Sequence, residues 1–329
     1  MKKYYDTILQ QIVQFINFLL IIFFLPIGIS CSPDLDDLIP NSLGKKKQAV
    51  LQQKIKNRSA ADLFKKNEML NRLLTEFQFK EISGGIYNYS GIKIHFGIAK
   101  FYNADSAYGV YSGLTAIPRE RWKSNGGELS YKNPFLSGWK GVYVFWFYSP
   151  SNPDNYASFY KTYGETLLTQ FEINTTIKIN TCSYHLKFLP LDNCYQNSVI
   201  YIHSRNINGL DFKNTYSAKY QAGRNIARIY IEKMESEDKA KYKFNNYINI
   251  LKDYKQKIKP YPIIYGGPSM AISWKDGSRL HVIYQYRWMI FMVNDLPNLN
   301  YANSFIRNIF KKMMKYKKDI TPKEIPGRR

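Results

Sequence analysis

Residues 92–114 read IKIHFGIAKFYNADSAYGVYSGL, and the change of period inside this stretch decides the fold. Ile92, Ile94, Phe96 and Ile98 alternate with Lys93, His95 and Gly97, the two-residue repeat of a strand with one buried face. Ser90 and Gly91 supply the turn before it. From Asp105 to Leu114 the alternation gives way to a short helix. Asn103 or Asp105 is its cap, because a side-chain oxygen there can accept from a free N–H of the first turn. A strand that runs straight into a helix calls for helices packed on a sheet.

The same order returns further along. Ala227–Met234 is strand-like, Asp238–Tyr254 is helical, Ser269–Trp274 and Arg279–Tyr286 flank the turn at 275–278, Trp288–Val293 is an apolar strand, and a last helix runs from about Asn300 to Lys315. In the first copy the matching pieces are the apolar strand Val142–Tyr148 and a helix whose stripe is Tyr156, Phe159, Tyr160, Tyr163, Leu167 and Phe171. Asp105 and Ala107 match Asp238 and Ala240 at the first helix of each copy, and Asn155-Tyr156-Ala157 matches Asn300-Tyr301-Ala302 at the second. We therefore expect an internal duplication and an α+β fold: two similar strand-helix-strand-strand-helix halves with antiparallel sheets, the ferredoxin-like arrangement being the nearest common relative. The halves are expected over 59–173 and 224–315, joined by a less regular connecting segment over 174–223 and followed by a basic tail over 316–329. An earlier helix, capped by Ser59 and striped by Leu63, Leu70, Leu73, Leu74 and Phe77, should lie on the first sheet, and Ser83-Gly84-Gly85 should break the pattern after it.

The N-terminus has a different character. Lys2 and Lys3 precede an almost wholly apolar run from Ile12 to Ile29, which leads through Gly28, Ile29 and Ser30 to Cys31. This resembles a bacterial lipoprotein signal, which implies a signal peptide over 1–30, lipidation of Cys31, a tether over 31–58 and a folded body on the extracytoplasmic side of a membrane, in the periplasm, at the outer membrane or at the cell surface. An uncleaved spanning helix is the alternative, since about 18 apolar residues can just cross a bilayer, but Pro26 late in the run argues for cleavage. Both readings export the body. With Cys31 lipidated, Cys182 and Cys194 are left as an even pair, able to form a disulfide in an oxidising compartment or to remain two buried thiols.

A formal net charge of +22 invites an anionic partner. Export takes nucleic acid out of reach, leaving the membrane reached through the N-terminal lipid, an anionic envelope polymer or a protein partner. Lys, Asn, Ile and Tyr are abundant together, so much of the charge is a solvated, compositional surface. The clusters at Lys45–Lys47 and from Lys311 to Arg329 flank the body and suit attraction to a membrane surface. With 28 Tyr and 20 Phe, aromatic side chains must supply much of the core.

The helix DLFKKNEMLNRLLTEFQF at 62–79, the strand and helix IAKFYNADSAYGVYS at 98–112, and the closing strand and helix from Arg287 onward resemble an uncharacterised family of bacterial envelope proteins, a domain of unknown function, over about residues 60–315. The resemblance implies the fold and the address, and supplies no catalytic residue.

Chemistry is sparse. His95, His185, His203 and His281 are the four histidines, none in a zinc-binding spacing, and no metal or cofactor is expected. His95, His203 and His281 lie in alternating strands and read as surface or cross-strand partners. Gly109-Val110-Tyr111-Ser112-Gly113 places its serine one position late for a nucleophile elbow and inside a helix. Glu165, Asp105 and Asp211 could serve a carboxylate-based hydrolase, yet each also reads as a helix-face charge, a cap or a turn residue, so no catalytic residue is assigned. The aromatic strand Tyr143, Phe145, Trp146, Phe147, Tyr148 is read as core in preference to a sugar- or lipid-stacking platform. These readings point to a lipid-anchored binding or interaction module, the alternative being an enzyme acting on envelope glycans.

Overall fold

A computed structural model describes residues 35–43, 49–56, 67–115, 120–124, 127–132, 135–149, 157–174, 189, 193–195, 198–254, 257–260 and 269–315. A 3-10 turn at Leu35–Leu38 leads into β1 (Ser42–Leu43), β2 (Ala49–Lys56), α1 (Glu68–Phe77), β3 (Phe79–Tyr89), β4 (Ile92–Phe101) and α2 (Ala104–Leu114). Then come β5 (Glu120–Ser124), β6 (Gly127–Lys132), β7 (Phe135–Lys140), β8 (Tyr143–Tyr148) and α3 (Ala157–Asn174). The second half comprises β9 (Ile200–Ile207), β10 (Leu210–Ala222), β11 (Asn225–Lys233), α4 (Glu237–Asp253), β12 (Lys259–Pro260), β13 (Ser269–Asp276), β14 (Arg279–Tyr286), β15 (Met289–Leu296) and α5 (Leu299–Lys315).

The strands form two sheets, ordered β1-β2-β3-β4-β8-β7-β6-β5 and β12-β13-β14-β15-β11-β10-β9. Neighbours pair antiparallel at both centres, β4 with β8 and β11 with β15. Read from its other edge, the second sheet repeats the first: β9-β10-β11-β15-β14-β13-β12 follows the order β2-β3-β4-β8-β7-β6-β5. The helices correspond too, α2 and α4 after the third strand of each series and α3 and α5 after the last. The chain is thus an α+β protein of two similar halves. Its strands do not follow a ferredoxin-like βαββαβ order, because each half joins three antiparallel strands through a helix to a four-strand meander, α1 being inserted between β2 and β3 in the first half.

Three expected boundaries are corrected by this topology. The connecting segment at 174–223 contains β9 and β10, so the second half begins at β9. Residues 83–85, expected to break the pattern, continue β3 and pair with both β2 and β4. The expected tether contributes β2 and the 3-10 turn: Leu35, Leu38, Ile39 and Leu43 are buried, Ser83 Oγ donates to Asp36 Oδ1 at 2.8 Å, and the Tyr87 hydroxyl donates to Pro40 O at 2.7 Å.

Apolar side chains fill three layers. One cluster lies between the 3-10 turn, the first sheet and α3, and another between the second sheet and α4. The central one joins α1, α2, α5 and the facing sides of both sheets. Helix α2 touches both halves: the Tyr108 ring lies 5.0 Å from Trp139 of the first sheet and stacks at 5.9 Å on Tyr216 of the second. Its glycines explain the GVYSG sequence. A Cβ on Gly109 would lie 2.4 Å from the Phe77 ring, and one on Gly113 would lie 2.6 Å from Leu73, so the two glycines let α1 approach α2 closely. Ser112, between them, is fully buried and accepts the Tyr201 N–H at 3.0 Å; it fastens the outer strand β9 to the first half.

Candidate functional site

Where α1 ends, α2 begins and β9 and β10 pass, the two halves leave a cleft of about 470 Å³. The first half contributes Glu76, Phe77 and Gln78 from the end of α1, and Tyr102, Asn103, Asp105 and Ser106 from the start of α2. Tyr201, His203, Asn214 and Lys233 come from β9, β10 and β11.

Local sequence sets each of these positions. Asn103 caps α2 by accepting the Ser106 N–H on its Oδ1 at 2.7 Å, which leaves its amide nitrogen to donate. Asp105 lies in the first turn, where a carboxylate complements the helix dipole, and its Oδ1 accepts the Tyr216 hydroxyl at 2.7 Å. Gln78 ends α1 with φ +50°, a left-handed conformation uncommon for a residue other than Gly, Asn or Asp. Phe77 packs edge-on against His203 at 5.9 Å and lies 5.8 Å from Tyr201. The Lys233 ammonium sits 4.9 Å from the centre of the Trp288 ring, a cation–π distance.

Asn214 shapes the cleft more than its exposed side chain suggests. Its φ is +49° in the middle of β10, and the strand changes face there. Leu210 and Phe212 pack into the outer cluster under α4, whereas Tyr216, Ala218, Tyr220 and Ala222 pack into the central one. Even-numbered residues of a regular strand would share one face. Pairing with β9 keeps its register across the change, from Lys213↔Ser204 to Thr215↔Ile202, so no residue is inserted and the two strands roll together. The cleft opens where this hairpin leaves the inner face of the sheet.

Behind the roll lies a buried polar node. Glu232 is 2% exposed; it accepts the Lys213 N–H at 3.1 Å and the Tyr247 hydroxyl at 3.3 Å, and pairs with the Lys243 ammonium. Burial pushes its carboxyl pKa up, against the opposing pull of those donors. This glutamate ties the backbone beside Asn214 to α4. Elsewhere Arg121 donates to the carbonyl of Thr115 at 3.2 Å and lies 3.5 Å from Glu128, placing a cation at the C-terminal end of α2.

Of the residues singled out from the sequence, Asp105 and His203 meet in the cleft. Glu165 is an exposed helix-face residue, and Asp211 is a surface residue whose carbonyl accepts the Tyr247 hydroxyl at 2.6 Å. His95 is a cross-strand partner of Tyr148, ring to ring at 6.3 Å. His281 is a cross-strand partner too, of Trp274, but a buried one: it is 4% exposed, stacks on Trp274 at 5.2 Å and approaches Asn294 Oδ1 through Nδ1 at 3.2 Å. The aromatic strand β8 is core, with Phe145, Trp146 and Phe147 fully buried. Cys194 is half-buried, its Sγ 3.7 Å from Ser198 Oγ, and burial pushes its thiol pKa up. Cys31, Cys182, His185, the Lys45–Lys47 cluster and the tail over 316–329 lie outside the described residues. Glu76, Phe77, Gln78, Tyr102, Asn103, Ser106, Tyr201, Asn214 and Lys233 were not singled out as site residues, Asn103 being read only as a cap; polar groups in β9, from His203 to Asn206, were the one available signal.

Among the described residues no group of three or more His, Cys, Asp and Glu is placed to hold a metal ion, and no helix is long and apolar enough to cross a membrane. No family model matches the chain, and no curated protein matches it in sequence. A solved structure, a GTP binding regulator from Thermotoga maritima, is 14% identical to it over 39% of this chain and 82% of that one, with a TM-score of 0.27. So loose a superposition carries no argument about fold or activity.

Proposed function

We propose that this chain is an extracytoplasmic binding module, anchored to a membrane through a lipid on Cys31, and that the cleft between its halves takes the ligand. The cleft carries the reading. It draws on both copies of the duplicated unit, combines polar groups with aromatic rings, and has a volume inside the range of about 300–1,000 Å³ usual for small-ligand sites, which favour such junctions.

The anchor and the fold fit together in one respect. Leu35 is 1% exposed and belongs to the cluster under α3, and it lies four residues beyond Cys31. Four residues reach at most about 14 Å, so a lipid on Cys31 would hold the first sheet close against the bilayer, within reach of the charge-driven attraction that a basic chain feels there.

Two measurements test the reading. Cys31→Ala should move the protein out of the membrane fraction; retention by an intact leader would replace the lipid with a spanning helix. Hydrogen exchange of the mature chain, with and without solubilised envelope material, should show ligand-dependent protection at 76–78, 102–106 and 201–203. Protection confined to other segments would remove the cleft from the proposal.

A second reading, an enzyme acting on envelope glycans, is favoured by one observation: the carboxylates Glu76 and Asp105 line the same cleft. Release of reducing ends from an envelope glycan, abolished by Glu76→Gln or Asp105→Asn, would establish it. The hydrogen bond from Tyr216 engages Asp105 as an acceptor, which weighs toward binding.

A further inference from the structure

Resting on the reading of the cleft as the ligand site, we infer that its ligand is a neutral saccharide and not the anionic polymer to which the net charge points. The overall charge of +22 is not reproduced inside the cleft. There Glu76 and Asp105 set two carboxylates against the one ammonium of Lys233, and that ammonium already lies against the Trp288 ring. An anion entering would meet two carboxylates for one ammonium, and juxtaposed like charge disfavours such a partner. The basic surface outside and the cleft inside therefore serve different partners.

The polar groups that remain are those that recognise hydroxyls. Gln78, Asn103 and Asn214 carry primary amides, each with a donor and an acceptor end, and Ser106 carries a hydroxyl. A sugar hydroxyl is also donor and acceptor at once, so amides and carboxylates can pair with it without leaving a charge unmatched. The aromatic part of the lining supplies the other half of saccharide recognition. Tyr102 stands at the rim with 70% of its surface exposed, and the ring can cover the apolar C–H face of a pyranose while its hydroxyl stays in water.

Backbone conformation sets two of these amides. Ser90, Asn208 and Arg287 have positive φ in the tight turns between paired strands, and Asn193 and Asp295, which do not line the cleft, have it too, Asp295 within β15. Gln78 and Asn214 have it at the cleft, at the end of a helix and in mid-strand. At these two positions the left-handed backbone brings a primary amide into the lining.

Calorimetric titration of the mature chain in detergent tests the inference with three probes: neutral tetrasaccharides (chitotetraose, cellotetraose and maltotetraose), polygalacturonate as a polyanion, and spermidine as a polycation. At least one neutral tetrasaccharide should bind. Tyr102→Ala should weaken it about 5- to 10-fold, and Asn214→Gly, which keeps the backbone conformation but removes the amide, should weaken it as well. Both variants should retain the native circular dichroism spectrum. If polygalacturonate or spermidine binds with sensitivity to Tyr102→Ala while every neutral sugar fails, the neutral saccharide is wrong and the cleft stands. If a sugar binds equally well to both variants, the cleft itself is wrong. Failure of all three neutral sugars at millimolar concentration would also overturn the saccharide.

Discussion

The Tyr216 hydroxyl of the second sheet donates to Asp105 in the first turn of α2 at 2.7 Å. Other links between α2 and the second half are the stacking of Tyr108 on Tyr216, the Ser112–Tyr201 hydrogen bond and the hydrogen bond from the Tyr108 hydroxyl to Val199 O at 3.4 Å. Tyr216 is wholly buried and Asp105 half-buried, so their bond is shielded from competing water. Tyr216→Phe keeps the ring and its stacking and removes only the donor. It should cost about 1.5–3 kcal/mol, the range for hydrogen bonds to charged groups, measured by urea unfolding. A loss near zero would mean that Asp105 finds an equal partner in water and that the halves are held by the remaining contacts, the Ser112–Tyr201 hydrogen bond and the packing of Tyr108 among them.

Gly97 offers a sharper test of the first sheet. It pairs with Trp146 across β4 and β8, and a Cβ on Gly97 would lie 2.4 Å from the Trp146 ring. The indole cannot swing away, because Trp146 is 0% exposed and packed in the central cluster. Gly97→Ala should therefore destabilise by about 1–3 kcal/mol, the usual cost of overpacking, with the near-ultraviolet tryptophan signal changed. An equally stable variant would show the ring to be free to move.

Residues 92–114 made the strand and the helix legible: the alternation from Ile92 to Ile98 marks β4, and Asn103, one of the two expected caps, caps α2; the single buried face expected for β4 is corrected, because as a central strand it also packs Ala99 and Phe101 into the central cluster. The duplication was legible as well, since Asp105 and Asp238 open corresponding helices. β9 and β10 were hidden by the roll at Asn214. Four successive exposed residues, His203 to Asn206, and a change of buried face between Phe212 and Tyr216 leave no single alternation to read. The same roll hid the cleft. Phe77 and Glu76 look like helix stripe and helix surface until a hairpin 120-odd residues later is laid beside them, and Asp105 looks like a cap because it is one. A site assembled from two halves has no local signature.

The buried node at Glu232 should give the protein a distinct response to pH. Its carboxyl pKa is raised above the ordinary 4.5 by burial, so the folded chain holds this proton more tightly than the unfolded one. The stability it contributes is full below the ordinary glutamate range and is lost as pH rises through the raised value. Glu232→Gln, which can still accept the Lys213 N–H, should flatten that fall when urea unfolding is followed from about pH 4 to pH 7. His95 works in the opposite sense: burial, aided by Lys93, lowers its pKa below 6.5, so its contribution is present above 6.5 and lost as pH falls through the lowered value. His95→Gln should remove that acid-side loss. The two slopes are separable by the two variants; identical pH profiles for wild type and Glu232→Gln would mean the carboxylate is as well solvated folded as unfolded.

Asn214 links this node to the cleft, and its backbone and side chain can be tested apart. The left-handed conformation at φ +49° costs an ordinary L-residue about 1–2 kcal/mol and glycine almost nothing, with asparagine between. Asn214→Gly should hold stability near the native value, while Asn214→Ala should lose about 1 kcal/mol. If the roll positions the cleft, Asn214→Ala should also loosen its far wall: hydrogen exchange should speed up at 201–205 and 211–216, and less so in α3, which packs on the outer side of the first sheet. Glycine and alanine variants of equal stability would show that β10 can straighten without penalty, and the face change between Phe212 and Tyr216 would then owe itself to Glu232 and the aromatic packing around Phe212, whose ring lies 5.3 Å from that of Tyr247.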